Sequence, residues 1–201
     1  VRDAARAGEL KARFPAVEIC PGSFEDPDAL ARALKDRDTL VNVASLGFGH
    51  ADTIVSAAEK AGVKRAVFFS TTAIFTTLTA QSKLRRQEAE ARIMQSSLDW
   101  TILRPTMIFG TPDDRNIIRL IRWIHAHSIV PVLGSGTFSL QPVFVEDLAA
   151  AVVSILSAPA TVKKAYNLSG RNPVDYNTLV QTTATLLQRK PRIIHLPVWL
   201  A

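Results

Sequence analysis

Short apolar runs alternate with amphipathic stretches along the first half of this chain. "AVEICPG", residues 16–22, reads as a strand, and "DPDALARALKD" as a helix. Asp26 is a good N-cap there, and Pro27 suits the first helical position. "DTLVNVAS" has the Val/Leu content of a buried strand, and "HADTIVSAAEKAG" is a helix closed by Gly62. "KRAVFFST" is a second buried strand, and "AQSKLRRQEAEARIMQSS" a long amphipathic helix. "LDWTILRP" is a strand stopped by Pro105. Strands and helices of these lengths in alternation predict βαβ units, hence an α/β fold with a parallel sheet covered on both faces.

After "RPTMIFG" the pattern loosens. "DRNIIRLIRWIHAHS" is a helix, and "IVPVLGSGTFSLQPVFV" a loop with short β pieces. "VEDLAAAVVSILSAP" is a helix, "KAYNLSG" a short strand, "VDYNTLVQTTATLLQRK" a helix and "RIIHLP" a last strand. This half predicts a small mixed lobe grafted on the sheet. No internal repeat or low-complexity linker interrupts it.

Composition changes the picture little. Of 201 residues, 47% are hydrophobic and 21% charged, enough for one domain with a real core. No apolar run approaches the roughly 20 residues that cross a bilayer, so no integral membrane segment is expected. The single cysteine, Cys20, forms no intrachain disulfide and makes a reducing cytoplasm the natural setting. The net charge of +6 suits an anionic ligand, nucleic acid or a small dinucleotide. Its basic residues are dispersed among acids, as in "KLRRQEAEAR", without a basic stripe carrying aromatics, so no nucleic-acid partner is expected. His50, His125, His127 and His195 show no metal-ligand spacing, and no metal site is expected.

One absence matters. A doubly wound nucleotide-binding domain opens with a strand, a Gly-rich turn and a helix whose N-terminus meets the pyrophosphate. No G-x-G-x-x-G occurs here. "GFGH", Gly47 to His50, follows a middle strand and has the wrong spacing. The chain also starts with Val rather than Met, so the expectation is a fragment whose first βα unit lies upstream.

"SKLRRQEAE", "RPTMIFG" and "LQPVFVEDLAAAV", in this order and spacing, resemble the extended and atypical short-chain dehydrogenases/reductases. That is the superfamily of NAD-dependent epimerase/dehydratases, and the chain is especially similar to the atypical branch that includes an accessory subunit of respiratory complex I. The resemblance covers essentially the whole chain; "YNLSGRNPVDYNTLV" and "IHLPVWLA" match the C-terminal lobe. It implies a Rossmann-like doubly wound parallel sheet without its first strand and Gly-rich turn. Residues 1–110 would be the incomplete NAD(P)-binding domain, and 111–201 a small substrate-side lobe interleaved with the sheet.

The resemblance also implies site residues. Arg2 would end the second strand, either pairing with a 2′-phosphate, which favours NADP over NAD, or lying solvated on the surface. Ser23 stands where an acidic residue usually meets the adenine amino group, and Phe24 would wall the adenine. Ala44 and Ser45 would let the cofactor ribose and pyrophosphate lie against the backbone. Thr72 matches the catalytic hydroxyl position, with Ser70 and Thr71 beside it to meet substrate or simply to close a strand end. Pro105 and Thr106 would pass the nicotinamide, with Arg104 supporting the site and Gln141 on the substrate side. Asp147 would be structural, an early helical acid.

The family's catalytic pair is Tyr-x-x-x-Lys on one helical face. Here Lys83 is present, but the tyrosine position is Thr79, whose aliphatic hydroxyl cannot replace a phenol as acid or base. Phe75 lacks the hydroxyl too, and Tyr166 and Tyr176 lie in the second lobe. Lys83 would hold the nicotinamide ribose or be a solvated helix lysine. Two functions therefore stay open: an NAD(P)-binding oxidoreductase or epimerase/dehydratase acting on a nucleotide sugar or similar hydroxyl or carbonyl compound, and a structural or redox-sensing protein that binds the dinucleotide without turnover. A homodimer through "HADTIVSAAEKAG" and "SKLRRQEAEARI" is the oligomer the resemblance implies.

Overall fold

The computed structural model describes Val1 and residues 3–200. In chain order the helices are α1 (Ala4–Arg13), α2 (Pro27–Leu34), α3 (Ala51–Lys60), α4 (Gln81–Met94), α5 (Ile117–Ala126), α6 (Val145–Leu156) and α7 (Tyr176–Leu186). The strands are β1 (Thr39–Asn42), β2 (Arg65–Phe69), β3 (Asp99–Pro105), β4 (Ile108–Phe109), β5 (Ile129–Leu133), β6 (Ser139–Leu140), β7 (Val143–Phe144), β8 (Lys164–Leu168), β9 (Val174–Asp175) and β10 (Arg192–Leu196). The chain divides into two compact units. The first comprises Val1–Arg104 and Ser154–Tyr166; the second comprises Pro105–Val153 and Asn167–Ala201.

The first unit carries a four-stranded sheet in the order β1-β2-β3-β8. β1, β2 and β3 run parallel, with Asn42 opposite Phe68 and Phe69 opposite Leu103. Ala66, Val67, Phe68, Ile102 and Leu103 are fully buried. Consecutive buried residues in one strand mean that both sheet faces are covered, as the apolar runs predict. The core gathers Phe68, Ile54, Val55, Ile93, Leu98 and Trp100.

Local signals explain the helix boundaries. The Asp26 carboxylate accepts from the N–H groups of Asp28 and Ala29 at 3.0 and 3.1 Å, ahead of Pro27. Gly62 closes α3 with φ 76°. There Val63 N–H reaches the Ala58 carbonyl at 3.0 Å and Gly62 N–H the Glu59 carbonyl at 3.2 Å, the paired bonds of a Schellman ending. Arg92 on α4 ties it to α3, meeting Asp52 at 2.8 Å and Glu59 at 3.0 Å. Glu59 also accepts from Ser97 N–H at 2.8 Å. That backbone donor first, and Arg92 second, hold the Glu59 carboxyl below its ordinary value. On β2, Arg65 spans Asp99 O at 2.6 Å, Thr101 Oγ1 at 2.8 Å and Thr161 Oγ1 at 3.0 Å. Burial pushes its pKa down.

One sequence expectation fails. Residues 16–22 form no strand. Among the described residues their backbone hydrogen bonds are Val17 N–H to the Phe14 carbonyl at 3.0 Å and two to Val1, whose ammonium donates to the Cys20 carbonyl at 2.8 Å and whose carbonyl accepts from Gly22 N–H at 3.2 Å. A strand needs a ladder along its length, and these isolated bonds do not supply it.

The second unit mixes helices with short paired strands. β5 and β10 pair in parallel, β4 with β7 in parallel, and β6 with β9 antiparallel. Ile124 of α5 and Val180 and Ala184 of α7 pack on Val130 and Val132 of β5.

Candidate functional site

Parallel strands leave their sheet at one edge, where ligands of open α/β sheets bind. The registers of β1, β2 and β3 bring Ala44 and Ser45, Ser70 to Thr72, and Arg104 to that edge of the first unit. Each group is held differently.

After β1 the chain turns tightly through Leu46–Phe48. Asn42, buried at the strand end, donates to the Ala44 carbonyl at 3.3 Å, and the Ser45 hydroxyl accepts from Gly47 N–H at 3.3 Å. Gly47 lies against a side chain from α4. A Cβ there would stand 3.0 Å from the guanidinium of Arg86, which reaches across from α4. Arg86 therefore belongs to this edge, although its place in a run of charges gave no hint of it.

After β2, Ser70 N–H donates to the Leu103 carbonyl at 2.7 Å, continuing the ladder one residue beyond the strand. The Ser70 hydroxyl is buried and has no hydrogen-bond partner among the described residues. A buried unpaired hydroxyl costs about 1–3 kcal/mol, so this position fits a polar ligand group. Thr71 caps the short turn Thr72–Phe75, its hydroxyl accepting from Ala73 N–H at 3.2 Å. Thr72 begins that turn.

The Lys83 ammonium donates to the Thr76 carbonyl at 2.6 Å. Two of its three protons are left for other acceptors. Thr79 does not share a helical face with it: α4 starts at Gln81 behind an extended Ala80 (φ −119°, ψ 134°), so Thr79 lies outside the helix and exposed. The four-residue spacing therefore does not bring the two side chains together here.

Arg104, expected to support the substrate, is engaged by a residue the sequence reading missed. Its Nε lies 3.0 and 3.1 Å from the two carboxylate oxygens of Glu90, and Nη2 lies 2.5 Å from Oε2. The side chains are 15% and 5% exposed, so this is a buried pair. The guanidinium also lies 5.3 Å from the Phe75 ring centroid. The available signal was Glu90 itself, a carboxylate between Ala89 and Ile93 on the buried face of α4.

Elsewhere in this unit Ser23 and Phe24 line a cavity of about 360 Å³ with Cys20, Gly22, Ala29 and Leu30. The Phe24 ring lies 6.1 Å from that of His50, a second ring not foreseen there. Ser23 accepts from Glu25 N–H at 3.3 Å. Arg2 lies outside the described residues.

In the second unit the structure brings Thr106 and Gln141 together. The Thr106 hydroxyl donates to the Gln141 carbonyl at 2.5 Å, and Thr106 N–H to Leu168 O at 2.9 Å. The Gln141 amide donates to Gly170 O at 2.7 Å. Pro105 ends β3 and is buried. Among the described residues no helix is long and apolar enough to cross a membrane, and no cluster of His, Cys, Asp and Glu could hold a metal ion.

Comparison with known proteins adds three kinds of likeness. Residues 1–159 match a family described as NAD(P)H-binding. A mitochondrial NADH dehydrogenase [ubiquinone] 1 alpha subcomplex subunit 9 of Arabidopsis thaliana is 27% identical over 144 residues, which are 70% of this chain and 35% of that protein. A ceramide reductase of Caulobacter vibrioides is 28% identical over 195 residues, 90% of this chain and 60% of the relative. The chain thus spans between a third and two thirds of these curated relatives. Among solved structures, a UDP-glucuronic acid 4-epimerase from Bacillus cereus in complex with NAD superposes with a TM-score of 0.82 at 13% identity, over 98% of this chain and 75% of that one. At that identity the likeness is one of fold.

Proposed function

The chain belongs to the NAD(P)H-binding family, of epimerase/dehydratase and reductase type, and from that premise we propose that it forms the cofactor edge and substrate-side lobe of an oxidoreductase or epimerase/dehydratase. Its substrate would be a nucleotide sugar or a similar hydroxyl or carbonyl compound. The observation that carries the reading is the buried, unpartnered Ser70 hydroxyl beside Thr72, at the edge where β1, β2 and β3 end together.

The geometry supports these roles. Lys83, anchored on Thr76 O, offers its remaining protons to the ribose nearest the reacting ring. Ala44 and Ser45 let ribose and pyrophosphate approach the backbone, and Ser23 and Phe24 line the adenine end. Ser70 and Thr72 hold the substrate oxygen. Arg104 keeps the end of β3 in place through Glu90 rather than meeting substrate. In the second unit, Pro105 and Thr106 are assigned to the nicotinamide and Gln141 to the substrate, the Thr106 hydroxyl being fixed on the Gln141 carbonyl. A bound nicotinamide would supply hydride transfer. NADP is the preferred form, on the charge of Arg2. A homodimer through α3 and α4 and a cytoplasmic setting complete the proposal.

A second reading is favoured by one specific observation. Thr79 stands exposed outside α4 and Phe75 has no hydroxyl, so no described side chain at this edge supplies a phenolic acid or base. The chain then binds the dinucleotide for structure or redox sensing. Single-turnover assays with NADH or NADPH and a panel of nucleotide sugars and carbonyl compounds separate the two. Turnover that Thr72→Val abolishes supports the first reading; tight cofactor binding without turnover supports the second.

A further inference from the structure

The second unit holds a cavity of about 330 Å³ between α5, α7 and β5. Met107, Leu120, Leu140 and Leu179 form its walls, with Trp123 and Tyr176 at its sides. Trp123 presents only its ring, because its indole N–H is already bonded to Ile129 O at 2.9 Å. Tyr176 is held by stacking on Phe138, ring centroids 5.2 Å apart. The volume is roughly twice that of the ~150 Å³ apolar cavity known to hold benzene.

Two polar side chains line the same cavity, Asn116 and Arg119. Asn116 occupies the N-cap position of α5, yet its side chain makes no capping bond. Asp114 does that work instead, accepting from Asn116 N–H at 2.7 Å and Ile118 N–H at 3.1 Å. Arg119 faces the cavity without a carboxylate partner among the ion pairs of the described residues. An apolar body with a few convergent polar groups at the rim is the anatomy of a small-ligand site.

We propose that this cavity binds a small amphiphile, its apolar chain or ring against Leu140, Leu179 and Trp123 and its anionic head on Arg119 and Asn116. A nucleoside diphosphate fits it poorly: base, ribose and two phosphates need many polar partners, and the lining offers one guanidinium and one carboxamide beyond the Tyr176 hydroxyl. Burying the remainder unpaired is costly. The inference narrows the substrate class of the proposed enzyme only if that enzyme reading holds; as a binding site it stands without the cofactor.

The test is calorimetric titration of the full chain, without cofactor, using decanoate, decanol and uridine 5′-diphosphate. Decanoate is expected to bind saturably, one per chain, and decanol about two- to fivefold more weakly, the worth of one partly exposed ion pair. Arg119→Gln, at an exposed position, should bring decanoate down to the level of decanol and leave decanol unchanged. Leu140→Phe should weaken both. The proposal is overturned if decanoate fails to saturate, if Arg119→Gln leaves the ratio of the two ligands unchanged, or if uridine 5′-diphosphate displaces decanoate. A parallel NADH titration reads the cofactor proposal separately, so either can fail alone.

Discussion

Replacing Glu90 by Ala removes the carboxylate that holds Arg104, and the expected cost follows from burial. The two side chains are 5% and 15% exposed, with three nitrogen–oxygen contacts of 2.5–3.1 Å between them. A surface pair of this kind is worth about 0–1 kcal/mol. Breaking a buried one leaves an uncompensated charge and costs about 3–5 kcal/mol. For a chain of this length each kcal/mol lowers Tm by about 2–4 °C, so Glu90→Ala should lower it by roughly 6–20 °C. The double variant Glu90→Met/Arg104→Met removes both charges and fills the space, and should recover most of the loss. Thermal and urea unfolding of Glu90→Met, Arg104→Met and the double variant close the cycle, with Glu90→Ala measured beside them. A loss under about 1 kcal/mol for Glu90→Ala, the surface value, would refute the reasoning.

Three further outcomes are expected. Glu59 has its folded pKa depressed below 4.5 by Ser97 N–H and Arg92, so its stabilising contribution is present above that value and is lost as pH falls through the lower folded value. Glu59→Gln should therefore flatten the acid limb of a stability–pH curve, and an unchanged limb would count against the assignment. Gly62→Ala places a Cβ at φ 76° and should cost about 1–2 kcal/mol by urea unfolding; a neutral result would mean α3 ends otherwise. Phe68→Ala, at a fully buried position between β1 and β3, should cost about 3–5 kcal/mol, and a cost below 1 kcal/mol would displace Phe68 from the core.

The parts of the fold that were legible in the sequence are those fixed by local chemistry. Asp26 with Pro27 marked the start of α2, Gly62 the end of α3, and the unbroken apolar runs of β2 and β3 announced strands buried on both faces. Residues 16–22 misled because an apolar run records burial propensity, whereas a strand also needs a continuous backbone ladder, and the described residues give these only isolated bonds. At the candidate site, residue types were readable but engagements were not. Glu90 and Arg104 are 14 residues apart on different elements, and nothing in either local sequence announces the pair. Arg86 was not singled out within its charge run, and only the close approach to Gly47 places it at the sheet edge. Thr79 was counted at helical spacing from Lys83, but the extended Ala80 breaks that geometry.

Calorimetric titration of NADH and NADPH tests the central claim most directly. It would be run on the 201-residue chain with and without Lys83→Ala. The account predicts that the chain binds one dinucleotide and that Lys83→Ala weakens it by about 10- to 150-fold, the 1.5–3 kcal/mol of a charge-assisted hydrogen bond. Absence of binding would contradict it, and would remove the roles given to Lys83, Ala44 and Ser45 together.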